Sequence, residues 1–142
     1  MIESRVSASR TGIIVLAHGI DLVEIARVER LMRDHAGRFL ERVFTSTEQE
    51  VARTRGRRQS EFLAGRFASK EAVLKALGTG LSDGVGWTEI EVLPDPRGAP
   101  GIILSGRTLE IASSKGLEAW LVSISHTDTH AQASVLAGRR ST

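Results

Sequence analysis

Glu61–Gly80, EFLAGRFASKEAVLKALGTG, decides how the rest of the chain is read. It contains no Pro, its only interior Gly is Gly65, and Ala, Leu, Glu and Lys fill its second half. These residues favour helix, and the spacing predicts one from about Gln59 to Leu77. On a helical wheel Phe62, Leu63, Phe67, Val73, Leu74 and Leu77 share one arc, the expected core face. Arg66 and Lys70 intrude into that arc. Ala64, Ala68, Glu71 and Lys75 lie together on the opposite side. Two small side chains there leave room for something to lie against the helix, beside a carboxylate and an ammonium one turn apart. One reading is an exposed i,i+4 ion pair of small energetic weight. The other is a carboxylate ligand for a hard cation, with a lysine beside it for phosphate. The glycines of Gly78-Thr79-Gly80 allow close approach of backbone to a ligand.

The 142 residues suffice for one domain with a real core. The hydrophobic fraction of 41% and charged fraction of 25% are those of a soluble globular protein. Without cysteine there is no disulfide, thiolate metal site or cysteine nucleophile, which is compatible with a reducing cytoplasm. A net charge of +2 and 4% aromatic residues argue against a nucleic-acid partner. No apolar run is long enough for a membrane span or an export signal. Arginine is concentrated between Arg27 and Arg66, including Arg53, Arg55, Arg57 and Arg58. Such a cluster is either a solvated face or a surface that steers an acidic partner.

Residues 1–12 read as a flexible polar arm, 13–138 as the folded domain and 139–142 as a polar tail. Ile13–Leu16 predicts a buried strand continuing toward Asp21. A helix follows from Asp21 or Leu22 to about His35, with Gly37 to end it. Its off-stripe arginines Arg27, Arg30 and Arg33 face solvent or a partner. Phe39, Leu40, Val43 and Phe44 form an apolar patch. A second helix follows, with Ser46 or Thr47 as its N-cap and Thr47 and Glu50 at capping-box spacing, and breaks at Gly56. After the long helix come a glycine-rich loop (Gly78–Gly86) and a hairpin of Trp87–Leu93 with Gly101–Leu104 across Pro94–Gly98. A short helix, Gly106–Ser114, capped by Ser105, and strands Ala119–Ile124 and Ala131–Ala137 complete the chain. This order predicts an α+β fold with a mostly antiparallel sheet packed against a long central helix.

Three features align: an acid at a strand end (Asp21), an acid and lysine on one helix face (Glu71, Lys75), and a histidine after a strand (His126). Asp21 has a plain reading as a helix cap, and His126 as a satisfied turn histidine. Together they suit Mg²⁺, which takes one or two protein carboxylates plus substrate phosphate and water.

The wording of several segments resembles the holo-acyl-carrier-protein synthases, the small phosphopantetheinyl transferases. They are Gly19-Ile20-Asp21-Leu22-Val23-Glu24-Ile25, Phe44-Thr45 with Glu48, Glu61 through Ala72, Lys75 through Gly80, Leu104-Ser105-Gly106 and Val122-Ser123-Ile124-Ser125-His126-Thr127. The likeness covers Ile13 to Ala137. The long helix motif together with V-S-I-S-H-T at this spacing is specific, whereas G-x-D alone is not. One departure is Ala17-His18, where the family carries a glycine two residues before Gly19; His18 would then alter strand packing or approach the metal site. A second departure is the arm before Ile13.

The resemblance implies the 4'-phosphopantetheinyl transferase fold and transfer of the phosphopantetheine arm of coenzyme A to a serine of an apo acyl carrier protein. The leaving group is adenosine 3',5'-bisphosphate. It implies Mg²⁺ on Asp21 and Glu71, and Lys75 on the pyrophosphate. Glu71, directly or through a metal-bound water, is first choice as general base, and His126, expected mainly to contact nucleotide or phosphate, is second. Arg58, Arg66, Gly78, His126 and Thr127 would bind coenzyme A, with Arg66 alternatively satisfied at a subunit contact. Arg27, Arg30, Arg33, Arg38 and Arg42 would dock the carrier. A homotrimer with active sites between subunits is implied, and a cytoplasmic setting with no membrane partner. Two other functions fit the same residues: a Mg²⁺-dependent hydrolase of coenzyme A or other nucleotide pyrophosphates, and a non-enzymatic basic adaptor for acidic helices.

Overall fold

A computed structural model describes residues 12–141. The expected arm, apart from Gly12, lies outside the described residues. The elements run β1 (Ile13–Glu24), α1 (Ile25–Val43), α2 (Ser46–Arg53), α3 (Gln59–Leu77), β2 (Ile90–Pro94), β3 (Pro100–Leu104), α4 (Gly106–Ser114), β4 (Ala119–His126) and β5 (His130–Arg140). Antiparallel β1, β5 and β4 form one sheet in that order, and β2 and β3 form a hairpin. The α+β expectation holds, with α3 at the centre.

Alternation along the strands assigns the two faces of the larger sheet. Ala131, Ala133, Val135 and Ala137 of β5 are buried, as is Val23 of β1, and all belong to the core around α3. Gly19, Asp21 and Val23 share this inner face, opposite Val135, Ala133 and Ala131. A Cβ on Gly19 would lie 1.8 Å from the Ala72 carbonyl oxygen, so β1 rests directly on the backbone of α3. The face of α3 expected to receive a ligand at Ala64 and Ala68 is therefore closed. Both alanines are buried, and the small residues serve helix–sheet contact.

On the outer face stand His18, Ile20 and Leu22, with Leu136, Ser134 and Gln132 opposite them. Leu121, Ser123 and Ser125 of β4 continue it. His18 Nε2 lies 3.3 Å from Ser134 Oγ. It is thus on the side of the sheet away from Asp21 and does not approach the acids. The first strand is not buried as expected: Ile14, Val15 and Leu16 are exposed, and the ladder is irregular between Val15 and Ala17.

Several boundaries differ from expectation. β1 runs on to Glu24 because its ladder with β5 continues to His130, so Asp21 is inside a strand. α1 passes through Gly37 and ends at Val43. Burial of Phe39 and Val43 on the continued helix outweighs the glycine's cost of about 1 kcal/mol. Thr45, not Ser46 or Thr47, caps α2: its Oγ1 accepts from the Glu48 amide while Glu48 Oε1 accepts from the Thr45 amide. The spacing T-x-x-E occurs twice, and the pair that contains the buried acid wins. Trp87–Glu89 forms a short 3₁₀ turn ahead of β2. Ser105 makes no side-chain cap; Glu89 instead accepts from the Arg107 and Thr108 amides at the start of α4. β5 takes in Arg139 and Arg140, which were expected in the tail.

Lys70, one of the two charges expected to disturb the apolar arc, is satisfied inside the chain. Its Nζ donates to Glu48 Oε1 at 2.7 Å, Val43 O at 2.6 Å and Trp87 O at 3.1 Å, which uses all three N–H groups. Glu48 Oε2 accepts from the Val92 amide. Burial disfavours the charged lysine, and Glu48 opposes that effect. The pair ties α2, α3 and the β2 hairpin together.

Candidate active site

Asp21, Glu71 and Lys75 meet where the inner face of β1 lies against α3. Asp21 is held there by the alternation that also places Gly19 and Val23 inward. Glu71 and Lys75 follow one another by a turn on α3. Lys75 Nζ donates to Asp21 Oδ1 at 2.9 Å and to the Ile20 carbonyl at 2.9 Å. Two of its three N–H groups are thereby used and one remains for an incoming oxygen. Glu71 is half-buried, and its proton affinity is raised, first by desolvation and then by the Asp21 charge; Arg27 and Lys75 pull the other way. Two acids within mutual influence and a lysine bridging one of them form a site that suits a diphosphate and a hard cation better than either alone. Among the described residues no group of three or more His, Cys, Asp or Glu is placed to hold a metal.

A second group gathers at the other end of α3. Arg55, Arg58, Glu61, Phe62, Arg66 and His126 line a cleft of about 200 Å³. Arg55 and Arg66 both stack on Phe62, with guanidinium carbons 4.7 and 3.9 Å from the ring centroid. Arg66 is 8% exposed and its Nε is buried without a hydrogen-bond partner. Burial and the neighbouring Arg55 lower its pKa to about 10. Arg66 Nε is thus a buried donor with no acceptor, and three arginines about one cleft can receive an anion. His126 Nδ1 lies 2.9 Å from Glu61 Oε1. None of Asp21, Glu71 and Lys75 lines this cleft.

Other expected site residues have visible local roles. Gly78 caps α3 in the left-handed region, with φ +78°, and donates to the Leu74 and Lys75 carbonyls. Thr127 Oγ1 accepts from the Thr129 and His130 amides and shapes the β4–β5 turn. Arg27 stands 5.8 Å from the Phe67 ring and influences Glu71, so it belongs to the border of the acid pair as well as to α1's surface. Arg33 pairs with Asp34 at 3.5 Å on the exposed side. Arg38 and Arg42 border an apolar groove of about 340 Å³ with Leu31, His35 and Phe39. Arg30 is exposed.

Two partners escaped the sequence reading. Arg55 was legible only as one of a run of arginines, and Glu61 only as part of a motif. Nothing local in the sequence signals that Glu61 meets a histidine 65 positions later.

Residues 17–133 match the sequence profile of the 4'-phosphopantetheinyl transferase superfamily. The chain belongs to that superfamily. It is 46% identical over 122 residues to a holo-[acyl-carrier-protein] synthase of Trichlorobacter lovleyi, covering 86% of this chain and 96% of the relative. A synthase of the same name from Halalkalibacterium halodurans is 43% identical, with 89% and 98% covered. Among solved structures, the holo-[acyl-carrier-protein] synthase of Neisseria meningitidis superposes with a TM-score of 0.81 at 28% identity, covering 89% of this chain and all (100%) of that one. The Bacillus anthracis synthase in complex with CoA (3',5'-ADP) superposes with a TM-score of 0.73 at 37% identity, covering 88% and 97%. The transferase fold expected from the sequence is thus the fold of this chain.

Proposed function

We propose that the chain transfers the 4'-phosphopantetheine moiety of coenzyme A to a serine hydroxyl of an apo acyl carrier protein. The observation that carries this reading is the Asp21–Lys75 contact beside a Glu71 of raised proton affinity, in a superfamily member whose relatives include a coenzyme A complex. The serine oxygen forms a bond to the phosphorus that carries pantetheine, and the bond from that phosphorus to the bridging oxygen breaks. The electron pair leaves with adenosine 3',5'-bisphosphate. Asp21 and Glu71 would hold Mg²⁺, which when bound supplies Lewis-acid neutralisation of the diphosphate. Lys75 gives its remaining N–H to a pyrophosphate oxygen. Glu71, directly or through a metal-bound water, is first choice to take the serine proton, and His126 second. Arg58 and Arg66 hold the nucleotide phosphates, with His126 and Thr127 at the same end of α3, whereas Gly78 caps the opposite end, beside Lys75.

The carrier docks on α1, where Arg27, Arg30, Arg33, Arg38 and Arg42 offer positive charge to an acidic helix and the Leu31–Phe39 groove offers an apolar seat. The active form is a homotrimer with sites between subunits. Support comes from the outer sheet face, whose Ile20, Leu22 and Leu121 are 45%, 61% and 52% exposed among uncharged serines. The separation of the acid pair from the arginine cleft supports it too: a neighbouring subunit would bring one beside the other. No helix among the described residues is long and apolar enough to cross a membrane.

The test is to incubate the protein with coenzyme A, Mg²⁺ and an apo carrier and to weigh the carrier by mass spectrometry. A gain of one phosphopantetheine per serine is expected, and its loss in Asp21→Ala. Free phosphopantetheine with an unmodified carrier would favour a hydrolase and contradict the proposal.

A further inference from the structure

We propose that Glu61 is a positioning residue for this reaction, holding the His126 imidazole so that its Nε2 meets a phosphate of coenzyme A. The inference rests on reading the arginine cleft as the nucleotide-phosphate site. Glu61 stands in the first turn of α3 and His126 ends β4, and both line that cleft with Arg55, Arg58 and Arg66. His126 Nδ1 and Glu61 Oε1 are 2.9 Å apart. Two lone pairs at that distance would repel, so Nδ1 carries a hydrogen toward the carboxylate. The nitrogen left for substrate is Nε2.

The carboxylate needs a reason to be there. A negative charge among groups that receive phosphate opposes the ligand unless it does something else. The group it touches is a histidine with a 51% exposed side chain at a strand end, whose ring would otherwise move among rotamers. Fixing the ring and its tautomer outweighs the unfavourable charge, as the outer partners of functional histidines commonly do. A favourable charge at the N-terminus of α3 is the alternative role, and it would be independent of His126.

The experiment compares kcat and KM for coenzyme A in Glu61→Ala, Glu61→Gln, His126→Ala and the Glu61→Ala/His126→Ala double variant, with melting temperatures alongside. Glu61→Ala is expected to impair the same parameter as His126→Ala, by about tenfold. It should add nothing in the His126→Ala background, because the pair acts as one unit. Glu61→Gln, whose amide oxygen still accepts from Nδ1, should recover most of the loss, and it keeps the test intact if the alanine variant folds poorly. Wild-type kinetics in Glu61→Ala with an impaired His126→Ala would overturn the Glu61 role alone. So would a Glu61→Ala loss that persists in the double variant, or a Glu61→Gln as impaired as Glu61→Ala. An unimpaired His126→Ala would overturn the cleft reading and the Glu61 role with it.

Discussion

Glu71 is raised in proton affinity chiefly because it is half-buried, and Asp21 adds to that. Below the ordinary carboxylate range the group is protonated in both folded and unfolded chains and has no effect on stability. As pH rises, the unfolded chain ionises first, so the folded state loses stability until Glu71 also ionises. The metal-free Glu71→Gln variant should therefore melt above wild type at neutral pH, with the difference disappearing near pH 4; thermal melts across pH check this. An identical melting temperature at pH 7 would contradict the assigned cause. Lys70 makes the opposite case. Both side chains of its pair with Glu48 are fully buried, so Lys70→Met strands the carboxylate. A loss of about 3–5 kcal/mol in urea unfolding is expected, even though methionine is apolar and similar in size.

At the scale of elements, the contact between β1 and α3 sets the position of Asp21. Gly19→Ala pushes a methyl group into the Ala72 carbonyl, so β1 must lift from the helix. Turnover should fall together with the melting temperature, whereas Ala17→Gly, which restores the family's residue two positions earlier, should cost only about 1 kcal/mol. Paired thermal melts and rate measurements on the two variants distinguish them. α3 was legible from its composition, and so were the acid–lysine spacing of Glu71 and Lys75 and the β2–β3 hairpin, apart from its 3₁₀ start at Trp87 and the pairing of Pro94 with Pro100. The wheel misassigned the far side of α3 because a central helix is buried around most of its circumference, and small residues mark sheet contact as readily as a ligand. The end of β1 and the start of α1 were misplaced because pairing with β5, a contact distant in sequence, keeps Asp21–Glu24 extended. Gly37 misled for a related reason: the apolar residues after it hold the helix through it. Glu48 and Glu61 had no visible partners, since Lys70 and His126 are joined to them only by the fold.

At the scale of the whole molecule, the acid pair and the arginine cleft flank one helix without sharing a cavity, and the outer sheet face with Ile20, Leu22 and Leu121 stands open beside them. If copies of the chain assemble on that face, Leu22→Arg should yield monomers by analytical ultracentrifugation and lower turnover at least tenfold, although Leu22 is not among the site residues. A trimeric Leu22→Arg variant would contradict assembly through this face. The central claim is that Asp21 and Glu71 together bind a divalent cation that grips coenzyme A. Calorimetric titration of coenzyme A into wild type and Glu71→Gln, each with and without Mg²⁺, tests it most directly. Mg²⁺ should tighten binding at least tenfold in wild type and leave Glu71→Gln unchanged; equal tightening in both proteins would contradict the account.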